Sequence, residues 1–355
     1  MRRDWQIFNM QRHQIFRLII ALLLLALTGG CSKNQTDSPR HFSGLTMGTT
    51  WSVALLPNPD EAIPADLRQK LQNGLDRINS LMSTYDPASE LSRFNNQTST
   101  DWFAISKETA EVIELSLQIG GLTEGAFDIT VGPLIELWGF GATERRKTIP
   151  TEEEIRASLA QVGYENIELR REPAAIKKLI PKLRIDLSAV AKGYAVDVLA
   201  AVLEQEGIRN YLVEIGGELQ ISGYRADGTP WRIAIEKPLE ETREVATVFP
   251  LTDTALATSG NYRNFYLENG QRYAHTLDPV SGKPIRHKLA SVTVLDPSCA
   301  RADALATALM VLGEEKGRLF CEKNRIAAYF IIHENESTEV YVSPAFQQML
   351  LEVKP

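Results

Sequence analysis

The segment Ala302-Asp303-Ala304-Leu305-Ala306-Thr307-Ala308-Leu309 carries the plainest chemical pattern in the chain. On a helix, Asp303 and Thr307 stand four residues apart on one face, where a carboxylate and a hydroxyl can hold a hard cation such as Mg²⁺. The same pair has an ordinary alternative, an acid near a helix start and a threonine bonded back to its own helix. Nothing in the chain has the Cys/His spacing of a zinc site, so oxygen donors define the expected metal chemistry.

Other groups extend the pattern. Asp186 ends an apolar run just before a helix start, where it can accept hydrogen bonds from a ligand or cap the helix. Lys192 follows it and either faces a phosphate or lies in solvent. Gly125-Ala126-Phe127-Asp128 joins a flexible backbone to an aromatic face and a carboxylate, a combination equally suited to a turn or to core packing. His275, between Tyr273 and Asp278-Pro279, can move a proton or serve as a structural residue. Gly216-Gly217 lacks the dinucleotide fingerprint and reads as a tight turn, and Ser259-Gly260-Asn261 lacks the nucleophile elbow.

These groups need a scaffold. Leu67, Leu71, Leu75, Ile78 and Met82 mark one helix face, ending before Tyr85-Asp86-Pro87. Ser106 caps a second helix, stopped by Gly120-Gly121, and Thr151-Glu152-Glu153-Glu154 is a capping box. A fourth helix, 192–206, follows a strand over 183–187. Further strands are predicted at 211–215, 231–235, 245–249, 291–295, 327–332 and 340–342, where β-branched and aromatic residues dominate. The Asp303 helix then starts just after a strand, with free N–H groups at its end. Helix and strand patterns mix without strict alternation, which predicts an α+β class.

The composition, 355 residues with 44% hydrophobic and 23% charged, is that of a globular chain with a substantial core, and the net charge of −7 argues against a nucleic-acid-binding surface. Arg2, Arg3, Arg12 and Arg17 lead into the apolar run 18–27 and then Thr28-Gly29-Gly30-Cys31, so residues 1–30 read as a secretory signal. Small residues before Cys31 resemble a lipoprotein box, although Thr28 stands where leucine is usual, and ordinary secretory cleavage stays open. Residues 31–41 read as a tether from lipidated Cys31. Cys299 and Cys321 read as small buried cysteines rather than a disulfide.

Taken in order, Met47-Gly48-Thr49, 83–87, 125–134, 186–197, Ile215-Gly216-Gly217-Glu218, 259–262, 275–279 and the Asp303 segment resemble one family, the ApbE-type FAD:protein FMN transferases, from about Phe42 to about Val342. The resemblance implies an α+β, T-fold-like, two-lobed domain over 42–355, with mixed or antiparallel sheets flanked by helices. It implies Mg²⁺ on Asp303, Thr307 and the backbone carbonyl of Ala189. FAD, the substrate, would meet Met47, Tyr85, Ala126, Phe127, Asp128, Asp186, Lys192 and His275, with His275 and Asp303 as catalytic candidates. The implied reaction moves FMN from FAD to a threonine hydroxyl and releases AMP. Implied acceptors are subunits of Na⁺-translocating NADH:quinone reductase or Rnf-type complexes and other extracytoplasmic flavoproteins. The implied place is the periplasmic side of a bacterial membrane, with Ser32 favouring the outer one. Two alternatives stay open, an FAD pyrophosphatase giving FMN and AMP, and a non-catalytic FAD-binding lipoprotein.

Overall fold

The computed structural model describes residues 39–56, 62–141, 148–239, 242, 244–262, 265–268, 270–334 and 337–353. The signal segment 1–30 and Cys31 lie outside the described residues. In chain order the elements are β1 (Arg40–Thr46), β2 (Thr49–Leu56), α1 (Leu67–Met82), α2 (Glu90–Asn96), β3 (Phe103–Ala104), α3 (Lys107–Leu122), α4 (Gly132–Leu137), α5 (Glu152–Leu159), β4 (Ile167–Arg170), β5 (Ala175–Lys178) and α6 (Ala191–Gln205). They continue as β6 (Asn210–Ile215), β7 (Glu218–Ser222), β8 (Trp231–Glu236), β9 (Val245–Leu251), β10 (Thr254–Gly260), β11 (Phe265–Glu268), β12 (Gln271–Ala274), β13 (Leu277–Asp278), β14 (Lys283–Pro284), β15 (Leu289–Asp296), α7 (Cys299–Asn324), β16 (Ala327–Glu334), β17 (Ser337–Val342) and α8 (Pro344–Glu352).

An eight-stranded sheet, β1-β2-β6-β7-β10-β15-β16-β17, forms the frame, and every neighbouring pair in it is antiparallel. Both faces are covered, and β16 shows how period-2 alternation does this. Ala328, Phe330 and Ile332 enter the main core beside α1, α6 and α7, while Ala327, Tyr329 and Ile331 pack on the opposite face with Trp231, Leu251 and Phe346. A smaller hydrophobic body gathers Leu134, Trp138, Ile155, Tyr273 and Leu277. Residues Pro39–Pro355 cluster as one unit. The α+β class with helix-flanked antiparallel sheets is borne out.

Local signals account for many boundaries. Ser106 accepts from Thr109 N–H at the start of α3, and Thr151 with Glu154 forms the predicted capping box of α5. Three expectations need correction. α3 runs through Gly120-Gly121 to Leu122, and it is Gly125 N–H that reaches back to the Gly120 carbonyl. β1 already begins at Arg40, inside the segment read as a tether. The strand expected at 183–187 does not form, and only Arg184 makes a bridge, to Val131. Cys299 and Cys321 are both buried and free. No described helix is long and apolar enough to cross a membrane.

Candidate active site

Two helix starts cross at the floor of the site. The crossing depends on Gly193 in the first turn of α6, because a Cβ there would lie 2.4 Å from the Cys299 carbonyl oxygen at the first turn of α7. Asp197, one turn further along α6, accepts from Cys299 N–H (2.8 Å), Ala300 N–H (3.0 Å) and the Ser298 hydroxyl (2.8 Å). It thereby satisfies donors that the opening of α7 leaves free. Asp303 lies past that first turn, so the dipole-capping alternative fails for its own helix. Its Oδ2 instead accepts the Gly193 N–H of α6 at 3.1 Å. Thr307 follows one turn later and lines the same cavity.

Lys192 joins two carboxylates. Its ammonium is 2.6 Å from Glu218 Oε1 and 3.9 Å from Asp303 Oδ2, so it is not a solvated surface lysine. Burial alone would lower its pKa, but Asp303 and Glu218 overcome that and raise it. Burial raises both acids above the ordinary carboxylate range, with Lys192 opposing the shift. Glu218 reaches this point because Gly216 (φ 60°) and Gly217 (φ 106°) make the two-residue turn between Ile215 and Glu218. The turn expectation for these glycines holds. Sequence reasoning quoted Glu218 without giving it a role, and its signal was a carboxylate opening a strand directly after that turn.

A second device holds the loop before α6. Asn95 accepts Ile185 N–H and donates to the Ile185 carbonyl, both at 2.8 Å, acting in place of a neighbouring strand. Lys178 donates to the carbonyls of Leu183 (3.2 Å) and Phe94 (3.3 Å), and Asp186 N–H reaches the Ile129 carbonyl at 2.7 Å. Side chains and a single bridge therefore satisfy a backbone that the apolar pattern alone had assigned to a sheet. The segment delivers Asp186 and Ala189 to the cavity wall, where Asp186 Oδ1 accepts Ser188 N–H at 2.8 Å.

The cavity, about 460 Å³, lies in the ordinary range for ligand sites. It brings together Tyr85, Ala126, Phe127, Asp128, Asp186, Ala189, Lys192, His275, Asp303 and Thr307, with Asn95, Arg184 and Glu218 added. Met47 is the exception. It occupies a tight turn with Gly48 (φ 48° and 71°), packs against the main core and does not line the cavity. Phe127 is 2% exposed and belongs to the main core, whereas Tyr85 is 71% exposed at the rim. Asp128 accepts from Thr130 N–H (2.7 Å), the Thr130 hydroxyl (2.6 Å) and Tyr164 N–H (2.9 Å), and so organises its own loop while edging the cavity. His275 and Phe140 meet at an interplanar angle of 70°, with ring centroids 6.4 Å apart.

Fold and site together define an α+β protein with an acid-floored, oxygen-lined ligand cavity. A family model described as the ApbE family matches residues 47–330. The chain belongs to the ApbE family. It is similar to an FAD:protein FMN transferase of Vibrio cholerae, 45% identical over 332 residues that cover 94% of this chain and 98% of the relative. A protein of the same name from Escherichia coli K12 is 40% identical, with 94% and 98% covered. Among solved structures, the flavin transferase ApbE from Vibrio cholerae superposes with a TM-score of 0.81, covering 88% of this chain and 99% of that one. An ApbE protein from Thermotoga maritima, 28% identical, gives 0.78 with 88% and 99% covered.

Proposed function

We propose that this protein is an FAD:protein FMN transferase, moving FMN from FAD to a threonine hydroxyl of an acceptor protein and releasing AMP. The observation that carries the reading is family membership over nearly the whole chain, joined to a cavity lined by nearly all of the motif residues. In the proposed step the threonine oxygen bonds to the riboflavin-side phosphorus, the bridging P–O bond breaks, and AMP leaves. His275, on the cavity wall, is the side chain assigned to receive the hydroxyl proton.

The residues fit a divalent cation. Two carboxylates share one ammonium at the cavity floor, and the buried Glu218 Oε2 has no hydrogen-bond partner. Among the described residues no group of three or more His, Cys, Asp or Glu side chains is placed to hold a metal. The family resemblance assigns the cation to the Asp303 carboxylate, the Thr307 hydroxyl and the Ala189 carbonyl, three hard oxygen donors that would suit Mg²⁺ together with phosphate oxygens and water. When bound, the cation neutralises charge that builds on the pyrophosphate.

The family's acceptors imply membrane redox-pump subunits of the Na⁺-translocating NADH:quinone reductase and Rnf types. The same reading places the chain on the periplasmic side of a bacterial membrane, held by lipid on Cys31. The test is incubation with FAD, Mg²⁺ and a purified acceptor domain carrying its threonine, followed by acceptor mass and free AMP. Gain of one FMN per acceptor with matching AMP supports transfer. Free FMN and AMP indicate the pyrophosphatase, and intact bound FAD a binding lipoprotein.

A further inference from the structure

Glu218 is 3% exposed, and only one of its two oxygens has a partner. Oε1 takes the Lys192 ammonium and Oε2 is buried without a partner, in a residue that lines the same cavity as Asp303 and Thr307. Leaving a buried acceptor of this kind unsatisfied is costly. An acid needed only to neutralise Lys192 would also be redundant, because Asp303 already lies 3.9 Å from that ammonium. Two carboxyl groups share one ammonium at the floor, and the Gly-Gly turn places Glu218 there. Such a group calls for a positive partner or a polarised donor arriving from the cavity.

Building on the proposed transferase reading, we infer that Glu218 is an outer ligand of the cation site, its Oε2 accepting a hydrogen bond from the water shell of a divalent cation held by Asp303 and Thr307. Outer partners of this kind orient the shell and add long-range attraction, and their loss typically weakens metal affinity about 10–100-fold.

The test measures Mn²⁺ binding to the purified full chain by electron paramagnetic resonance, with Mg²⁺ competition, in four proteins: wild type, E218Q, K192M and K192M/E218Q. Gln keeps the shape and one oxygen for Lys192 but removes the charge. E218Q is expected to weaken Mn²⁺ binding about tenfold or more. K192M, which removes a competing cation, is expected to leave binding equal or tighter, and the double variant is expected to bind about tenfold more weakly than K192M. Melting without metal is expected to be unchanged or higher in E218Q, since an unpaired buried charge is gone, with the metal-induced rise reduced. If the double variant binds as K192M does, Glu218 acts only through Lys192 and the inference is overturned. If wild type binds no Mn²⁺, the cation reading of the whole site falls first.

Discussion

Two acids at the crossing of α6 and α7 face opposite fates. Asp197 is saturated, with three donors from the opening turn of α7 converging on its two oxygens. On the other helix, Asp303 accepts Gly193 N–H and shares Lys192 with Glu218, whose second oxygen has no partner. Burial raises the pKa of all three acids, so burial alone does not separate scaffold from site. Satisfaction does. A polar network closed upon itself holds the fold, and one left open within a cavity is built for something that arrives from outside.

The largest expected effect breaks the open network. Asp303→Ala is expected to lower Mg²⁺-dependent FMN transfer about 10³-fold, equivalent to about 4 kcal/mol, while the protein stays folded. Turnover per folded molecule is the measurement, and an unchanged rate would remove Asp303 from the cation site. Asp197→Ala should do the reverse. It strands the Cys299 and Ala300 N–H groups and the Ser298 hydroxyl, so urea unfolding should show a loss of about 3 kcal/mol. Turnover extrapolated to the folded fraction should fall far less than in the Asp303 variant. Equal loss in both would erase the distinction between the two acids.

The comparison also shows what the chain's letters reveal. Asp303 and Thr307 were legible because a helix converts a spacing of four into a shared face, and Ser106 and Thr151 because capping is local chemistry. The Gly-Gly turn was legible for the same reason. The tight turn that seats Met47 against the core was not legible, because its positive φ is unusual for a non-glycine residue. The 183–187 segment reads as a strand, since its apolar alternation is real, yet its hydrogen bonds come from Asn95 and Lys178, some 90 and 5 residues away. Glu218 escaped because its role depends on which oxygen lacks a partner, and only three-dimensional placement reveals that.

Two lysines sharpen the same contrast by pH. Lys192 has two carboxylates and its pKa is raised, whereas burial, with Arg184 adding repulsion, pushes Lys178 down from 10.5 to about 8. Between those two values the unfolded chain binds more protons than the folded one, so folding gains stability as pH rises through this window. From pH 8 to pH 10 the gain attributable to Lys178 is about 2 kcal/mol. The urea midpoint of wild type should therefore rise relative to that of Lys178→Met from pH 8 to pH 10. A pH-independent difference would mean that Lys178 is better solvated than its contacts with Phe94 and Leu183 imply.

The smallest expected effect separates two aromatic residues on one cavity wall. Phe127 is a poor probe of ligand contact, because its ring is part of the main core and truncation to Ala should cost about 3–5 kcal/mol of stability whatever it touches. Tyr85 offers the clean measurement. It is 71% exposed, follows the Ser83 turn that accepts its own N–H, and lines the cavity, so its ring stabilises little of the fold. Tyr85→Ala should leave the melting temperature without ligand unchanged and weaken FAD binding five- to tenfold, about 1 kcal/mol, the scale of one aromatic stacking contact. Tyr85→Phe should restore most of that affinity, since the ring rather than the hydroxyl supplies the contact. An FAD dissociation constant unaffected by Tyr85→Ala would move the flavin off this rim and leave the cavity's binding to its polar floor.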